Sequence, residues 1–403
     1  MKKMIIIVMT ALLLSSCTYW QGKENLPELQ TSSPSSSGVQ PVSEDITEPV
    51  NRLNVLNTLD ATDVWTLKAL DSSVIYIAAI KRIDSATGRQ EFVLARCNLQ
   101  DKSVKVLFRD EEESTMSIEN MRVAKLKDGL EAVYTGESMF IFKEGKVTQK
   151  PIPSAALYVS SYNIGSGRLV YVDSDTLELC LEDGSSKQPK TLFKSIKTKE
   201  NTEDNMNTIY PYDPLISEDG GRVLFELVQY EAQRYQKVIS CDTEGNELGE
   251  TAQLEIRADS LQTFWMGQKF FTAEVTDSSE DTPSKLATYI TVFNLDGTVD
   301  KTYNYECDMS TIQNETYEEH SLLAFSHSEN LPGDQGFKES IGIIDINTGK
   351  ADIVYETNKV ITSPSVSPDG THLIWEENGD ICTARIDTLK HTPIKTFIPS
   401  KAG

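Results

Sequence analysis

The sequence has little positive charge. It contains 38 lysines and arginines against 61 aspartates and glutamates, a formal net charge of −23 at pH 7. Such a chain repels the phosphates of nucleic acids and the anionic surface of a membrane. We therefore expect no nucleic-acid partner and no domain lying flat on a bilayer. The acidity would suit a cationic ligand or calcium, but solubility alone also explains it.

Histidine and paired cysteine are scarce as well. There are four histidines, and no Cys-x-x-Cys pair occurs among the six cysteines, so neither a zinc site nor a redox pair is predicted. No cofactor is expected. Besides Cys17 the chain has five cysteines, an odd number. Four of these fall in separate predicted strands, and we expect them to pack as small, unpaired apolar side chains. They are Cys97, Cys180, Cys241 and Cys382.

Helical periodicity and the common hydrolase motifs are also missing. Apolar runs of four to eight residues, separated by Gly, Asp and Asn, predominate and predict an all-β chain. The string at residues 164–167 lacks the spacing of a Gly-x-Ser-x-Gly elbow, and no segment remains for the α/β domain of a serine hydrolase. The Ser-x-Asp-x-Gly motif of sialidases is not matched either, because Asp369 and Gly370 are adjacent.

Residues 361–387 show the pattern that the chain does contain. Ser367-Pro-Asp-Gly370 matches a type I turn at each position, and Asn378-Gly379 is a strong two-residue hairpin signal. Around them lie three strand patterns, and residues 393–398 are expected to add a fourth strand. One such sheet cannot bury both of its faces alone, so the pattern should repeat along the chain.

The repeat is visible at an offset of 150 residues. Residues 214–226 align without a gap on residues 364–376, and Pro, Ser, Asp, Gly, an aromatic residue and Glu coincide. Seven turns that precede last strands end at residues 102, 145, 184, 245, 297, 349 and 389. This period predicts a single β-propeller of seven four-stranded blades, with two β-sandwiches as the alternative. Residues 53–56 are the expected ring-closing strand, at the edge of the seventh unit.

These residues also carry a family resemblance. Ser367-Pro-Asp-Gly370, the apolar run 373–375, Asp380-Ile381 and Ile386-Asp387 resemble the repeat of TolB-like, WD-repeat-like bacterial propellers. The match is good in the last unit, recognisable at residues 217–225 and faint elsewhere. The resemblance implies the fold and an extracytoplasmic location. It implies no particular reaction, because such rings serve as scaffolds, binding proteins and enzyme appendages.

The N-terminus has the features of an exported, lipidated protein. Lys2 and Lys3 precede the apolar run 4–14, which is too short to span a bilayer. Leu14-Ser-Ser-Cys17 resembles the lipobox of bacterial lipoproteins, in which the cysteine receives diacylglycerol. Further acylation, for example by palmitate, would make the anchoring stable. An ordinary secretory signal with a chance cysteine is the alternative.

The predicted organisation has three parts. Residues 1–16 form the lipoprotein signal peptide, residues 17–50 a lipidated, flexible Ser- and Pro-rich tether, and residues 51–403 the propeller. We therefore expect a location at the cell membrane, lipid-anchored on its extracytoplasmic face.

Loops that follow second strands are long at residues 81–90, 276–284 and 327–338, and topology places them on one face of the ring. The connection 197–211 is expected on the same face of the ring. This acidic rim would take a cationic peptide, a sugar or calcium; as the alternative, it is solvated and binds nothing. Trp65, Trp265 and Trp375 lie within predicted strands and are expected in the core. The candidate binding residues are Asp277, Glu280, Asp281, Glu329, Asp334, Tyr210 and Tyr212.

The main functional hypothesis is a binding scaffold for a protein or glycan ligand in the cell envelope, without catalysis. The competing hypothesis is a propeller lyase or glycoside hydrolase that uses carboxylates at the channel mouth. Carboxylates that converge in a closed pocket beside His, Tyr or Arg would favour the enzyme.

Overall fold

Seven β-sheets form a seven-bladed β-propeller, which confirms the predicted fold class. Residues 48–403 form one compact unit. The computed structural model describes residues 50–84, 89–110, 121–125, 130–135, 138–143, 146–151, 156–163, 166–183, 188–197, 208–229, 234–251, 260–277, 286–309, 311–313, 320–331 and 336–396.

Each blade is an antiparallel sheet whose strands follow one another along the chain. Blade one consists of Asp63–Ala69, Val74–Asp84, Arg89–Asn98 and Ser103–Asp110. Blade two consists of Arg122–Lys125, Glu131–Tyr134, Ser138–Lys143 and Lys146–Pro151. Blade three consists of Ala156–Asn163, Arg168–Asp173, Leu179–Asp183 and Lys190–Phe193. Blade four consists of Ile196–Lys197, Thr208–Ile216, Arg222–Gln229, Arg234–Asp242 and Glu247–Glu250. In blade four we call Thr208–Ile216 the first strand, since Ile196–Lys197 is a two-residue addition to its inner edge.

The remaining blades include both ends of the described chain. Blade five consists of Ser260–Met266, Lys269–Asp277, Leu286–Asn294 and Val299–Tyr305. Blade six consists of Thr311–Ile312, Leu322–Asn330, Phe337–Asp345, Lys350–Thr357 and Thr392–Pro393. Blade seven consists of Ile361–Val366, His372–Glu377, Asp380–Arg385 and the N-terminal strand Asn51–Asn54. A short α-helix, Leu56–Leu59, and a 3-10 helix, Ile386–Thr388, complete the described elements. No helix in the described ranges is long and apolar enough to cross a membrane.

The two turns predicted in blade seven, at residues 367–370 and 378–379, are both present. The amide of Gly370 donates to the carbonyl of Ser367 at 2.8 Å, and the Ser367 hydroxyl donates to Asp369 at 2.6 Å. Asn378 and Gly379 both have positive φ, 50° and 87°, as a type I′ hairpin turn requires. These turns fix where each strand of blade seven begins and ends.

The repeated turns also dock each blade on the preceding one. In blade four, the carbonyls of Ser217 and Gly220 accept hydrogen bonds from Asn163 at 2.8 Å and from Arg168 at 2.7 Å, both in blade three. At the position offset by 150 residues, the Ser367 carbonyl lies 3.0 Å from the His320 ring nitrogen of blade six. The sequence repeat is therefore also a repeat of contacts between blades.

The N-terminal strand closes the ring. Asn51–Asn54 pairs with the third strand of blade seven, from Thr383 at one end to Asp380 at the other. The predicted location at the edge of blade seven is confirmed, although the strand lies slightly earlier than residues 53–56. Arg52 in this strand forms an ion pair with Glu377, whose side chain is 0% exposed. Tyr355 of blade six also donates to Glu377 at 3.0 Å.

The predicted fourth strand of blade seven, residues 393–398, was wrong. Its place beside Asp380–Arg385 is occupied by Asn51–Asn54, so the C-terminal segment passes on to other blades. Thr392–Pro393 pairs with the outer strand of blade six, and Thr396 forms a bridge with Tyr305 of blade five.

The core consists of apolar clusters, several of which lie between neighbouring blades. One contains Leu67 and Ile75 of blade one together with Ile374 of blade seven. All five described cysteines are buried and unpaired, which confirms the predicted packing role. Trp265 and Trp375 are buried, as predicted, with 8% and 0% of their surface exposed, whereas Trp65 is 49% exposed.

The ring closure yields a stability prediction. Arg52→Ala leaves the buried Glu377 carboxylate with Lys359, at 3.7 Å, as its remaining cation, and we expect the free energy of unfolding to fall by about 2–3 kcal/mol. Urea unfolding at pH 7 measures the loss. Arg385→Ala removes an ion pair whose partners are 61% and 63% exposed, and it should cost under about 0.5 kcal/mol.

The effect of Arg52→Ala should also depend on pH. Burial alone would raise the pKa of Glu377, but hydrogen bonds from Arg52, Thr357 and Tyr355 lower it below its usual value. A lowered pKa in the folded state stabilises the fold above the unfolded pKa and loses this effect as pH falls through the folded value. The difference between wild type and Arg52→Ala should therefore shrink below about pH 4. A difference that stays constant down to acid unfolding would contradict the role given to this ion pair.

Candidate functional site

The first strands of the blades line the central channel. They lie at one end of the strand order in each sheet, apart from the addition in blade four. First strands of neighbouring blades also contact one another, for example those of blades one and two and of blades one and seven. Side chains that are exposed on these strands therefore face the channel or its mouth.

First strands carry β-bulges in blades one, three, four and seven. In blade four the bulge contains Asp213, and in blade seven it contains Ser363, which is offset by 150 residues. Both have positive φ, 44° and 51°, and each precedes a proline. Steric repulsion from proline disfavours this conformation, so the surrounding sheet must hold it. Such strain often accompanies a function of the side chain it displays.

A buried glutamate lies beside the bulge of blade four. Glu226, 2% exposed, stands on the second strand opposite Tyr212, the neighbour of Asp213. It accepts a hydrogen bond from the Thr263 hydroxyl of blade five at 2.6 Å. Thr272 is paired with Thr263 and fully buried, and its hydroxyl has no hydrogen-bond partner in the described part of the chain. The interface between blades four and five thus contains a cluster of polar side chains within an apolar core.

The two carboxyl groups influence each other. Burial raises the pKa of Glu226 to about 8, and the charge of Asp213 contributes to the increase. Burial also raises the pKa of Asp213, whereas the positive charge of Arg122 acts to lower it. Arg122 begins the first strand of blade two, whereas Asp213 lies in blade four. The electrostatic interaction between them therefore joins blades that are not neighbours. At neutral pH, this pair of acids holds a proton beside an arginine.

Blade seven has a related but different arrangement. Glu376 is offset by 150 residues from Glu226, and burial raises its pKa. Thr362 and the amide of Gly379 donate hydrogen bonds to it, and Asp63 of blade one lies near enough to raise its pKa further. Because Ser363 replaces the aspartate of blade four, the acid pair of blade four has no counterpart here.

Trp65 occupies the bulge of blade one, and this explains why its predicted burial was wrong. Val64 and Leu67 are three residues apart, yet both pack in the core between blades seven and one. The bulge adds one residue between them, so that both side chains lie on the same face of the sheet. Trp65 is that residue. About half of the indole stays in solvent, which forgoes roughly 2–3 kcal/mol of hydrophobic stabilisation.

The predicted rim residues that the structure describes do not form one cluster. Tyr210 and Tyr212 lie within the first strand of blade four rather than in a loop, because residues 209–212 pair in register with residues 226–229. Asp277 ends a strand of blade five. Glu329 forms an ion pair with Lys338 at 3.6 Å and lines a cavity of about 310 Å³ between blades five and six. Cys17, Glu280, Asp281 and Asp334 lie outside the described residues.

Sequence reasoning missed Asp213, Glu226 and Arg122 as site residues. One signal was available: Glu226 interrupts the apolar run 223–228, where a solvated glutamate is not expected. No comparable signal marks Asp213 or Arg122, because only the ring brings their strands together.

Glu226→Gln should change how stability depends on pH. The raised pKa means that folded wild-type protein keeps a proton that the unfolded chain releases, so its stability falls as pH rises from about 4.5 to about 8, by up to 1.4 kcal/mol per pH unit. Glutamine cannot ionise, and the variant's profile should be flatter in this range. Urea unfolding at pH 5, 7 and 9 measures it. The matched control is Glu247→Gln on the exposed outer strand of the same blade; if Glu226→Gln gives a profile parallel to this control, the raised pKa is refuted.

Comparisons with known proteins give the following findings. No family model matches the chain, and no curated protein matches its sequence. An oligogalacturonate lyase from Vibrio parahaemolyticus is 11% identical, over 80% of this chain and 98% of that one, with a TM-score of 0.49. The WD40 domain of SCAP from fission yeast is 9% identical over 81% and 96%, with a TM-score of 0.44. The tricorn protease is 15% identical over 78% of this chain but 28% of its own, with a TM-score of 0.37. Likenesses this distant carry no argument about activity.

Proposed function

We propose that the protein is a lipid-anchored lipoprotein of the cell envelope whose propeller binds a ligand on the extracytoplasmic side. The anchor is supported by the basic residues Lys2 and Lys3, the apolar run 4–14 and the lipobox-like sequence that ends at Cys17. The observation that carries the binding role is the acid pair Asp213 and Glu226, in which Asp213 lies on a channel-lining strand and Glu226 is buried behind it. Buried ionisable groups with shifted pKa values are costly for stability and mark candidate binding sites.

The topology of the ring fits a tether that leaves the channel free. Asn51–Asn54 is the outermost strand of blade seven, whereas the channel is lined by first strands. A tether upstream of Asn51 therefore joins the outer edge of the ring. If residues 17–50 behave as a flexible coil, their mean reach is about 30 Å, enough to separate a folded domain from the lipid headgroups.

Removal of the lipobox cysteine tests the anchor. We expect full-length wild type, expressed in a bacterial host that processes lipoproteins, to partition into the detergent phase and to carry added lipid mass. Cys17→Ala should appear in the aqueous phase without that mass, since only a thiol can form the thioether. Cys180→Ala, which removes a buried thiol, is the matched control and should partition like wild type. Unlipidated, released wild-type protein would refute the anchor.

An enzyme is the second candidate, favoured by one observation. Glu226 has a pKa of about 8 and therefore holds a proton at neutral pH, as a general acid must. Asp213 nearby would supply the second carboxyl group that glycoside hydrolysis requires.

A substrate panel distinguishes the two candidates. Neutral and uronate oligosaccharides should be incubated with wild type and with Glu226→Gln. Catalysis predicts that the variant loses at least about 100-fold in kcat, because it cannot donate a proton. If the protein only binds, wild type should turn over none of the oligosaccharides. Wild type and Glu226→Gln should then both retain any oligosaccharide that binds. Equal turnover by both proteins would remove Glu226 from any catalytic role.

A further inference from the structure

We propose that Trp65 is the aromatic platform of a cation-binding site at the channel mouth, and that the ligand presents an amine or guanidinium group there. The inference rests on the proposed binding role and names the chemical class that the ring recognises. It concerns blades seven and one, away from the Asp213 and Glu226 pair of blade four.

The placement of Trp65 supports a ligand contact. The residue lies near the beginning of an innermost strand, in a bulge that removes it from the core between blades seven and one. Its side chain is 49% exposed, and the described residues offer it neither a ring contact nor a hydrogen bond. Trp265 and Trp375, by contrast, are both buried. An indole exposed on an innermost strand presents its apolar surface to whatever enters the channel mouth.

The charges around Trp65 select a cation. Asp63 is two residues away on the same strand, and it is close enough to Glu376 to raise the pKa of that carboxyl group. Asp63 forms an ion pair with Arg82 at 3.3 Å, but these side chains are 43% and 63% exposed. Such an exposed pair is weak, so an incoming cation can replace Arg82.

Cation recognition explains these features better than stacking of a sugar. A tryptophan face attracts amines and guanidinium groups through its quadrupole, and an adjacent carboxylate adds a charged partner. The formal net charge of −23 also steers cations toward the ring and repels acidic glycans. A sugar would use the indole face but would gain nothing from this charge.

Fluorescence anisotropy of a labelled peptide tests the site. The full chain is used in a Cys17→Ala, Trp20→Phe background. The first change prevents lipidation, and the second leaves Trp65 as the exposed tryptophan, because Trp265 and Trp375 are buried. The probe is a fluorescein-labelled oligolysine peptide, and the same peptide with acetylated amines is the control. We expect saturable binding of the charged peptide, with a change in Trp65 emission, and no binding of the acetylated one.

Substitutions separate the platform from general attraction to an acidic protein. Trp65→Leu should weaken binding by about tenfold, whereas Trp65→Phe, which keeps an aromatic face, should lose about threefold or less. Val299→Ala, at an exposed apolar residue of the outer strand of blade five, should bind like wild type. Thermal unfolding of each variant checks that the fold is intact.

Two results would overturn the proposal. Equal binding by Trp65→Leu and wild type would mean that the peptide is held by net charge alone. Failure of the charged peptide to bind would refute the cation site. If neutral oligosaccharides then change the Trp65 emission, the ligand is a sugar and the binding role stands. The anchor is decided separately, by detergent partition of the lipidated chain, so its failure cannot be confused with either result.

Discussion

Closure of the ring by the strand Asn51–Asn54 is the constraint on which the other contacts depend. A four-stranded blade has two faces, and each is buried only if a neighbour packs against it. Blade seven supplies three strands itself and receives its fourth from the start of the ring. In this seam Arg52 forms an ion pair with Glu377 and donates a hydrogen bond to the Tyr355 hydroxyl at 3.2 Å. Without this strand, the outer edge of blade seven would be unpaired.

The blade architecture could be predicted because the turns that identify it also join the blades. Ser217 and Ser367 begin turns of the same chemistry, and both turns dock on the preceding blade. The turn needs particular residue types, whereas a core position accepts Val, Ile, Leu or Phe, so the turns are easier to recognise in the sequence. The placement of residues 393–398 failed for the opposite reason: a strand pattern does not say which edge is still vacant, and Asn51–Asn54 had filled the nearest one.

The candidate site was harder to predict because it depends on bulges and on the meeting of distant strands. Trp65 reads as a core residue by alternation, and a single extra residue reverses its direction. The acid pair depends on Asp213 being held at positive φ before a proline, which no local propensity favours. Arg122 and Asp213 interact only because blades two, three and four curve around one axis. Sequence patterns describe single strands well, but these features arise between strands.

The two strands that close the ring are far apart in the sequence, and this affects when the ring can fold. Arg52 and Glu377 are 325 residues apart in the sequence, so one partner of the seam is among the first parts of the ring to be made and the other among the last. A contact of such long range forms slowly, and blade seven cannot be completed while its C-terminal strands are still being synthesised. For the export proposed above, this delay keeps the ring open until synthesis of the C-terminal strands ends. The same delay leaves the edge of Asp380–Arg385 open for a time, which makes a second copy of the N-terminal strand the natural competitor during assembly.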